Sequence, residues 1–474
     1  MSLPVPLPSL SRDDLVELVL EQQRQIAELQ AVNEALRAEV ERLRREGQRQ
    51  AAPFSKGRRV ATPKKSGRKP GEGRFCRRSA PPPATGMEPA MEVPVTLTAC
   101  PVCGGQLAAA GVEEASVTDL PEGVRPQVRR FRVAVARCTA CGNRVRGQHP
   151  ALAPDQYGAT AHRVGERVMA HAHVLHYGLG VPLRKVPAVL AQLTGVRGTQ
   201  SALTPDALRR AEGSVGAAYA QLRAAVPAAA AGHTDDTGWR VGGEPAHLMT
   251  FETTAVTVYQ IRARHRNQEV REVVPAAYAG VLVTDRGRSY DALELAGVRQ
   301  QKGLAHIQRA LSEVLERQRG KARAFGTCLK GLFRQAMDLW RDSHQGKRAG
   351  LTAQADQLKE AIRHHLRDRP LKDPDNQRLL NEVGWHNDRG NLLRFLDDPR
   401  IEPTNNRAER ALRPAVIARK VWQCSKNARG AQTFAAFTSV VRTLDRTGAG
   451  SIVDGLLHVF HSAKMPDAST EVCP

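Results

Sequence analysis

Apolar residues recur every seven positions near the start of the chain. One heptad position holds Leu15, Gln22, Leu29, Leu36 and Leu43, and the other holds Val19, Ile26, Asn33 and Val40. β-Branched residues at a and Leu at d favour a parallel two-stranded coiled coil, in which Asn33 would pair with its copy and fix the register. The alternative is a single amphipathic helix that packs on its own protein. We interpret residues 1–48 as a leucine-zipper coiled coil that forms a homodimer.

This apolar periodicity is absent from the next segment. Residues 51–80 contain ten Lys or Arg and one acidic residue, with frequent Pro and Gly. Such a composition is typical of a disordered chain. Its positive charge would bind DNA phosphates without sequence specificity, and the alternative is a solvated tether. Residues 49–90 are therefore predicted to form a basic disordered linker.

Two CxxC pairs follow, and a glycine comes directly after each. Cys100 and Cys103 form the first pair, and Cys138 and Cys141 form the second, with 34 residues between the pairs. Four thiolates satisfy the tetrahedral coordination of zinc, and a closed site of this kind is structural. Redox-active pairs are the alternative, but no βαβ pattern accompanies these cysteines. Residues 91–150 are predicted to be a zinc ribbon that binds Zn²⁺.

Residues 155–228 have the apolar spacing of helices. Two short helical patterns lie on either side of the sequence TGVRGTQSA, residues 194–202. This arrangement is similar to a helix-turn-helix, which would place its second helix in the major groove of DNA. An ordinary pair of packed helices gives the same pattern. The segment is predicted to be a helical domain, with a helix-turn-helix as one interpretation.

From residue 229 the pattern predicts a sheet. Three strand patterns with short connections are followed by a helical stretch, then by the short apolar run GVLVTD that ends in Asp285, and then by a second helical stretch, residues 289–297. A continuous apolar run is typical of a strand buried on both faces, and catalytic residues of α/β sheets lie at the carboxyl ends of such strands. This order of elements is the layout of a ribonuclease-H-like fold.

Three carboxylates stand out on these elements. The first strand carries Asp235 and Asp236, the later strand ends at Asp285, and a distant helical segment carries Glu409. Converging carboxylates repel each other, and divalent cations relieve that repulsion. Two Mg²⁺ ions at such a site can support an in-line displacement at a phosphodiester. The strand pattern alone does not choose between Asp235 and Asp236.

Each carboxylate also has a purely structural interpretation. Asp285 could end a strand, and Asp235 could cap a turn. Glu409 could complete a capping box with Asn406 or pair with Arg413 one turn further on. The three residues together, in this strand order and on a basic chain, favour the catalytic interpretation.

The charge of the chain indicates a polyanionic partner. The 474 residues contain 70 Lys or Arg against 48 Asp or Glu, for a formal charge of +22 and a pI of about 10.2. Nucleic acid is the usual partner of such a chain, and an anionic membrane surface is the alternative. No apolar run reaches the roughly 18 residues of a membrane span. No signal peptide is expected, so we predict a cytoplasmic protein.

Four sequence blocks resemble those of one transposase family. HTDDTGWRV, GVLVTDRGRSYDAL, GLAHIQRAL and TNNRAERALRPAVIARKVW are similar to blocks of the sixty-six family of insertion-sequence transposases, a DDE-type group. The family's first block usually reads Asp-Glu-Thr, so Asp235 matches the catalytic Asp, and Asp236 stands where Glu is usual. The second family Asp falls on Asp285, and the family Glu falls on Glu409.

The resemblance implies a function and further site residues. It implies a bacterial, nucleoid-associated transposase that uses Mg²⁺ or Mn²⁺, held by Asp235, Asp285 and Glu409, to cleave transposon ends and join them to target DNA. The predicted DNA-binding residues are Asn405, Asn406, Arg410, Arg413, Arg419, Lys420, His306 and Arg309. His306 and Arg309 match the family's His-x-x-Arg block, where His306 could instead be a buried structural residue. Accessory proteins of the same element are possible partners.

The expected fold class is multidomain α+β. Residues 1–48 form the coiled coil, 49–90 the linker, 91–150 the zinc ribbon, 155–228 the helical domain, 229–310 with 400–445 the ribonuclease-H-like catalytic domain, 311–399 an all-α insertion and 446–474 a C-terminal tail. Two other functions fit part of this pattern. One is a DNA-binding regulator without catalysis, and the other is a stand-alone nuclease of the same fold.

Overall fold

The structure is a computed structural model that describes residues 11–48, 126–149, 152, 156, 162–344, 351–448 and 450–466. These residues divide into two compact units, of which the smaller contains residues 126–128 and 193–195. All elements described below belong to the larger unit, apart from the last residues of one helix. The predicted linker lies outside the described residues. Among the helices that are described, none is long and apolar enough to cross a membrane.

The N-terminal helix α1 (Arg12–Gln48) covers the predicted heptads. Ile26, Leu29 and Leu36 are each more than half exposed, so the apolar stripe is uncovered in the single chain. The side-chain amide of Asn33 donates to the carbonyl of Leu29, one turn earlier, at 3.0 Å. An uninterrupted helix with an exposed apolar stripe is compatible with the predicted coiled coil. The second helix of that coiled coil stays a prediction.

A small hairpin contains the second cysteine pair. Strands β1 (Val135–Arg137) and β2 (Arg144–Arg146) are antiparallel. The backbone N–H of Gly142 donates to the carbonyl of Cys138 at 2.9 Å, and Gly142 has a φ of 71°. Glycine adopts this left-handed conformation without the cost that a Cβ imposes, so the sequence CTACG forms a tight turn.

A five-stranded mixed sheet forms the centre of the fold. Its strands are β3 (Ala231–Val241), β4 (Glu244–Glu252), β5 (Thr257–Arg262), β6 (Val281–Thr284) and β7 (Arg299–Lys302). The order across the sheet is β5-β4-β3-β6-β7. The first three strands are antiparallel, and β6 and β7 run parallel to β3. The predicted three-strand meander and fourth strand are thus observed, and β7 was not predicted.

Helices before and after the sheet share its larger core. The helices are α2 (Glu166–His173), α3 (Val186–Thr194), α4 (Gln200–Glu212), α5 (Ser214–Ala225), α11 (Asn406–Trp422), α12 (Ala428–Thr447) and α13 (Ile452–Ser462). All of them except α3 contribute buried residues to this core, whereas Val186 and Leu190 of α3 pack in a separate small cluster with Met169 of α2. α3 and α4 are the two helices expected around residues 194–202. Aromatic rings fill the core, and Trp239 of β3 stacks on Phe434 of α12 with ring centroids 5.1 Å apart.

A second core lies under the other helices. These are α7 (Leu304–Arg317), α8 (Arg323–His344), α9 (Leu351–His365) and α10 (Pro374–Asp388). Leu304, Ile307 and Leu311 recur at helical spacing and are fully buried. They pack with Val283 of β6, which joins this helical region to the sheet. The described part of the expected insertion is helical, but its expected start at residue 311 falls inside α7.

Two local predictions were wrong. Residues 289–297 were expected to form an α-helix, but they form 3₁₀ turns at Arg288–Tyr290 and Leu293–Leu295. The segment after residue 445 was expected to be a tail, yet α13 packs in the main core through the buried residues Val453, Leu456, Val459 and Phe460. Their spacing of three and four is that of a helix with one apolar face. The remaining connection in the sheet contains the short helix α6 (Asn267–Arg271).

Candidate active site

Asp235 and Asp285 lie on the same face of the sheet. The parallel strands β3 and β6 pair at His233 and Val283. Asp235 lies two residues further along β3, and Asp285 lies two residues after Val283, directly beyond the end of β6. Side chains alternate between the faces with a period of two, so both carboxylates occupy the same side at the same level. The chain order therefore brings two acids together that are 50 positions apart.

Asp236 points to the opposite face, because it is the next residue along β3. Its backbone N–H donates to Oδ1 of Asp235 at 2.9 Å, which orients the Asp235 carboxylate. Nδ1 of His247 and Nδ1 of His265 lie 2.9 and 3.0 Å from the Asp236 carboxylate oxygens. The two adjacent aspartates thus have different partners, which the strand pattern could not reveal.

Helix α11 covers the Asp235 face of the sheet. Tyr259, which lies two strands away from Asp235 in the same row, donates its hydroxyl to the carbonyl of Ala411. Glu409 projects from the first turn of this helix, and its Oε1 lies 3.5 Å from Nε2 of His306. The helix begins at Asn406 without a side-chain cap, so the capping-box alternative for Glu409 is wrong.

Nearby acids change the pKa of Asp235. Burial, together with the negative charges of Asp285, Asp236 and Glu409, raises the pKa of Asp235 to about 7. The hydrogen bond from the Asp236 backbone opposes this rise. A carboxyl group that is destabilised in its charged form by other carboxylates is one that a cation can stabilise.

The loop after β6 holds Asp285 in a fixed position. The backbone N–H of Gly287 donates to Oδ1 of Asp285 at 2.8 Å. A Cβ at position 287 would come within 2.9 Å of that oxygen, so a larger residue would displace the carboxylate. Glycine at this position therefore allows the close approach between backbone and acid.

A buried lysine supports the same end of the sheet. Nζ of Lys302 lies 2.8 Å from Oδ1 of Asp291 and donates to Oγ1 of Thr284 at 3.2 Å. Burial lowers the pKa of Lys302, and the charges of Asp291 and Asp285 oppose this shift. Lys302 was not among the predicted site residues. It ends the short polar strand β7, RQQK, which has no apolar alternation that would have marked it as a strand.

Asn405 does not lie on the DNA-accessible surface. Its side chain is fully buried and donates through Nδ2 to the carbonyl of Thr234 at 2.8 Å. The expectation that Asn405 contacts DNA is therefore wrong, and its hydrogen bond instead ties the start of α11 to β3. Asn406 is exposed at the first position of α11.

The predicted basic residues differ in their exposure. Arg410, Arg413, Lys420 and Arg309 are exposed, whereas His306 and Arg419 are partly buried. Nη1 of Arg419 donates to Oγ1 of Thr237 at 3.4 Å, so part of its guanidinium is held by the sheet. Arg410 and Arg413 lie within one turn of Glu409, where they could hold an anion next to the three acids.

The described half of the predicted zinc site is the tight turn that contains Cys138 and Cys141. A hydrogen bond from the backbone N–H of Cys141 lowers the pKa of the Cys138 thiol, which favours the thiolate that zinc requires. Cys100 and Cys103 lie outside the described residues. The zinc site therefore stays a prediction.

The segment that contains these three acids matches a known protein family. The family model described as Transposase IS66 family matches residues 162–433, which include Asp235, Asp285 and Glu409. No curated protein matches the chain. Because the matched segment covers more than half of the 474 residues, the chain belongs to the Transposase IS66 family.

Proposed function

We propose that this protein is a DDE transposase that cleaves DNA at transposon ends and joins the 3′ ends to target DNA. Asp235, Asp285 and Glu409 are its catalytic residues. The observation that carries this proposal is that Asp235 is partly buried and that the negative charges of Asp285, Asp236 and Glu409 raise its pKa. A purely structural strand end has no need of three carboxylates in one place.

The sheet supports a ribonuclease-H-like catalytic domain. Three antiparallel strands are followed by two strands parallel to the first, and the first strand is central. Asp235 lies on the first strand, Asp285 directly follows the fourth strand, and α11 supplies Glu409. This order of strands and acids supports the ribonuclease-H-like fold that the sequence pattern predicted.

The donor set suits magnesium. Asp235, Asp285 and Glu409 offer only oxygen atoms, which are the ligands that Mg²⁺ prefers. When bound, a pair of Mg²⁺ ions activates the attacking oxygen and stabilises the leaving oxygen of a phosphodiester. The backbone N–H of Asp236 and that of Gly287 keep Asp235 and Asp285 oriented.

Arginines around Glu409 would hold the DNA backbone. Arg410 and Arg413 are exposed on α11 and can donate to phosphate oxygens in a bidentate manner. His306 lies 3.5 Å from Glu409 and can position its carboxylate or contact the phosphate beside it. The +22 charge of the chain adds non-specific attraction to DNA.

We further propose that the chain acts as a dimer through α1 and that a Cys₄ zinc ribbon is present. The exposed Ile26, Leu29 and Leu36 would be covered by a second copy of α1. Deletion of residues 1–48 should then convert the full-length protein from a dimer to a monomer in sedimentation. A protein that stays dimeric after this deletion would contradict the assignment.

The decisive experiment uses the substitution Glu409→Gln. A labelled duplex with the inverted repeats that flank the gene is incubated in Mg²⁺, and a binding titration is run in Ca²⁺. Gln retains the size of Glu but loses the charge that holds a divalent cation. We expect cleavage and joining to fall to background, whereas DNA affinity stays equal or rises.

Glu402→Gln is the matched control, because Glu402 lies in the loop just before α11 and pairs with Arg407 at 3.3 Å. The control should cut and join normally. Near wild-type cutting by Glu409→Gln would remove Glu409 from the active site. Cleavage without joining by the wild type would indicate a stand-alone nuclease, and binding without either reaction would indicate a regulator.

A further inference from the structure

The reverse face of β3 carries a second cluster of metal-ligating side chains. Asp236 lies on β3, His247 on β4 and His265 just after β5. His247 pairs with Gly238, which lies two residues after Asp236 on β3. Asp236 and His247 therefore share this face of the sheet. One potential ligand atom from each of the three residues lies within 4.8 Å of the others.

The spacing within the cluster matches a coordination sphere. Oδ2 of Asp236 is 2.9 Å from Nδ1 of His247, and Oδ1 is 3.0 Å from Nδ1 of His265. Ligands on neighbouring corners of an octahedron, with metal–ligand bonds of about 2.1 Å, lie about 3.0 Å apart. Each histidine nitrogen is thus about as far from its Asp236 oxygen as neighbouring ligands in such a sphere are from each other.

The rings are held in place but the cluster is open to solvent. The side chain of His265 is 10% exposed and that of His247 is 39% exposed. Nε2 of His265 lies 3.4 Å from the hydroxyl of Ser289, and its ring meets the edge of Tyr290. Such outer partners orient a ligating imidazole, while the open side would admit an ion and leave coordination positions for water.

We propose that Asp236, His247 and His265 form a binding site for a divalent first-row transition-metal ion, such as Zn²⁺, Co²⁺ or Fe²⁺. Two imidazoles and one carboxylate are a donor set for these ions, whereas Mg²⁺ prefers oxygen ligands. The site lies on the opposite face of the sheet from the three catalytic acids. It does not depend on the proposed transposase reaction.

A bound ion would connect three parts of the sheet. It would join β3, β4 and the segment after β5 at one point. The backbone N–H of Asp236 also donates to Asp235, so fixing Asp236 would fix the orientation of the neighbouring carboxylate. The site is therefore a positioning device for the strand that carries Asp235.

The test is equilibrium dialysis of the full-length protein against Co²⁺ in excess Mg²⁺. Magnesium occupies oxygen-only sites, whereas imidazole nitrogen selects cobalt. The wild type should bind one more Co²⁺ per chain than the double variant His247→Gln, His265→Gln. The absorption lost in the variant should consist of d–d bands without the sulfur-to-metal charge transfer that cysteine ligands produce.

His364→Gln, which alters an exposed histidine on α9, is the matched control and should retain all of its cobalt. Circular dichroism in the absence of metal shows whether the double variant folds. If it does not fold, Asp236→Asn, which keeps both rings, takes its place. Its cobalt affinity should fall by more than about 100-fold, since even outer partners of a ligand contribute 10–100-fold. Equal cobalt binding by the wild type and these variants would overturn the proposal and leave a hydrogen-bonded triad only.

Discussion

Asp235 and Asp285 lie at matching positions of two neighbouring parallel strands, each two residues beyond the paired His233 and Val283, with Asp285 directly after the end of β6. This register places both carboxylates on one face of the sheet, and it places Asp236 on the other. The Asp235 side carries three acids and the arginines of α11, whereas the other side carries Asp236 with His247 and His265.

Asp235→Asn and Asp236→Asn should have unequal effects on DNA cleavage. Asp235 belongs to the face of Asp285 and Glu409, so its loss should reduce cleavage to background. Asp236 acts through its neighbour, and its substitution should reduce the rate by about tenfold or less, which is about 1.4 kcal/mol. Single-turnover cleavage of a labelled end duplex measures both. Equal losses in the two variants would show that the faces are not functionally separate.

Arg410→Ala and Arg413→Ala should weaken DNA binding in a salt-dependent way. Both side chains are exposed beside Glu409. If each neutralises one phosphate, each substitution should lower the slope of log affinity against log salt by about 1. Binding titrations at several salt concentrations measure this slope. Arg363→Ala, on the exposed side of α9, is the control, and a slope reduced as much by this change would point to general charge alone.

Asn405→Ala should destabilise the fold rather than remove a DNA contact. Asn405 is buried and donates to the Thr234 carbonyl, so its loss leaves that acceptor without this donor. The free energy of unfolding should fall by about 1–3 kcal/mol. Denaturant unfolding measures the change. Asn406→Ala, at an exposed position, should alter stability by about 0.5 kcal/mol or less, and a similar cost at both positions would contradict this role for Asn405.

Asp206 should make the protein sensitive to acid. Its Oδ2 is 2.9 Å from Nε2 of His173 and accepts from Nε of Arg210 at 2.9 Å. Burial alone would raise the pKa of Asp206, but the hydrogen bond from His173 and the charge of Arg210 lower it to about 2. The folded state therefore binds fewer protons than the unfolded state, whose carboxyl has its usual pKa of 3.8.

The stability contributed by Asp206 is thus present above about pH 4 and is lost as the pH falls towards 2. Asp206→Asn should be less stable than the wild type at neutral pH, and the difference should shrink across this window. Chemical unfolding at a series of pH values measures the free-energy difference. A difference that stays constant from pH 5 to pH 2 would mean that the ionisation of Asp206 does not contribute.

Local patterns in the sequence identified many of the elements correctly. The heptads predicted α1, and the strand patterns predicted β3, β4, β5 and β6 in the right order. These signals depend on periodicity within a few residues, which a single chain segment displays by itself. α13 carries the same kind of signal, because apolar residues three and four positions apart mark a buried helical face. This segment was nevertheless expected to be a tail.

Other features depend on contacts between distant segments. Asp235 and Asp236 are identical in type and adjacent, so the strand pattern did not separate them. The family resemblance selected Asp235, and the pairing of β3 with β6 puts that residue on the side of Asp285. Asn405 lies among arginines in the sequence, yet it is buried because α11 packs on the sheet beside Thr234. His247 and His265 meet Asp236 only through the register of three strands. Such contacts depend on the whole fold, since no local pattern determines which residues from separate strands share a face.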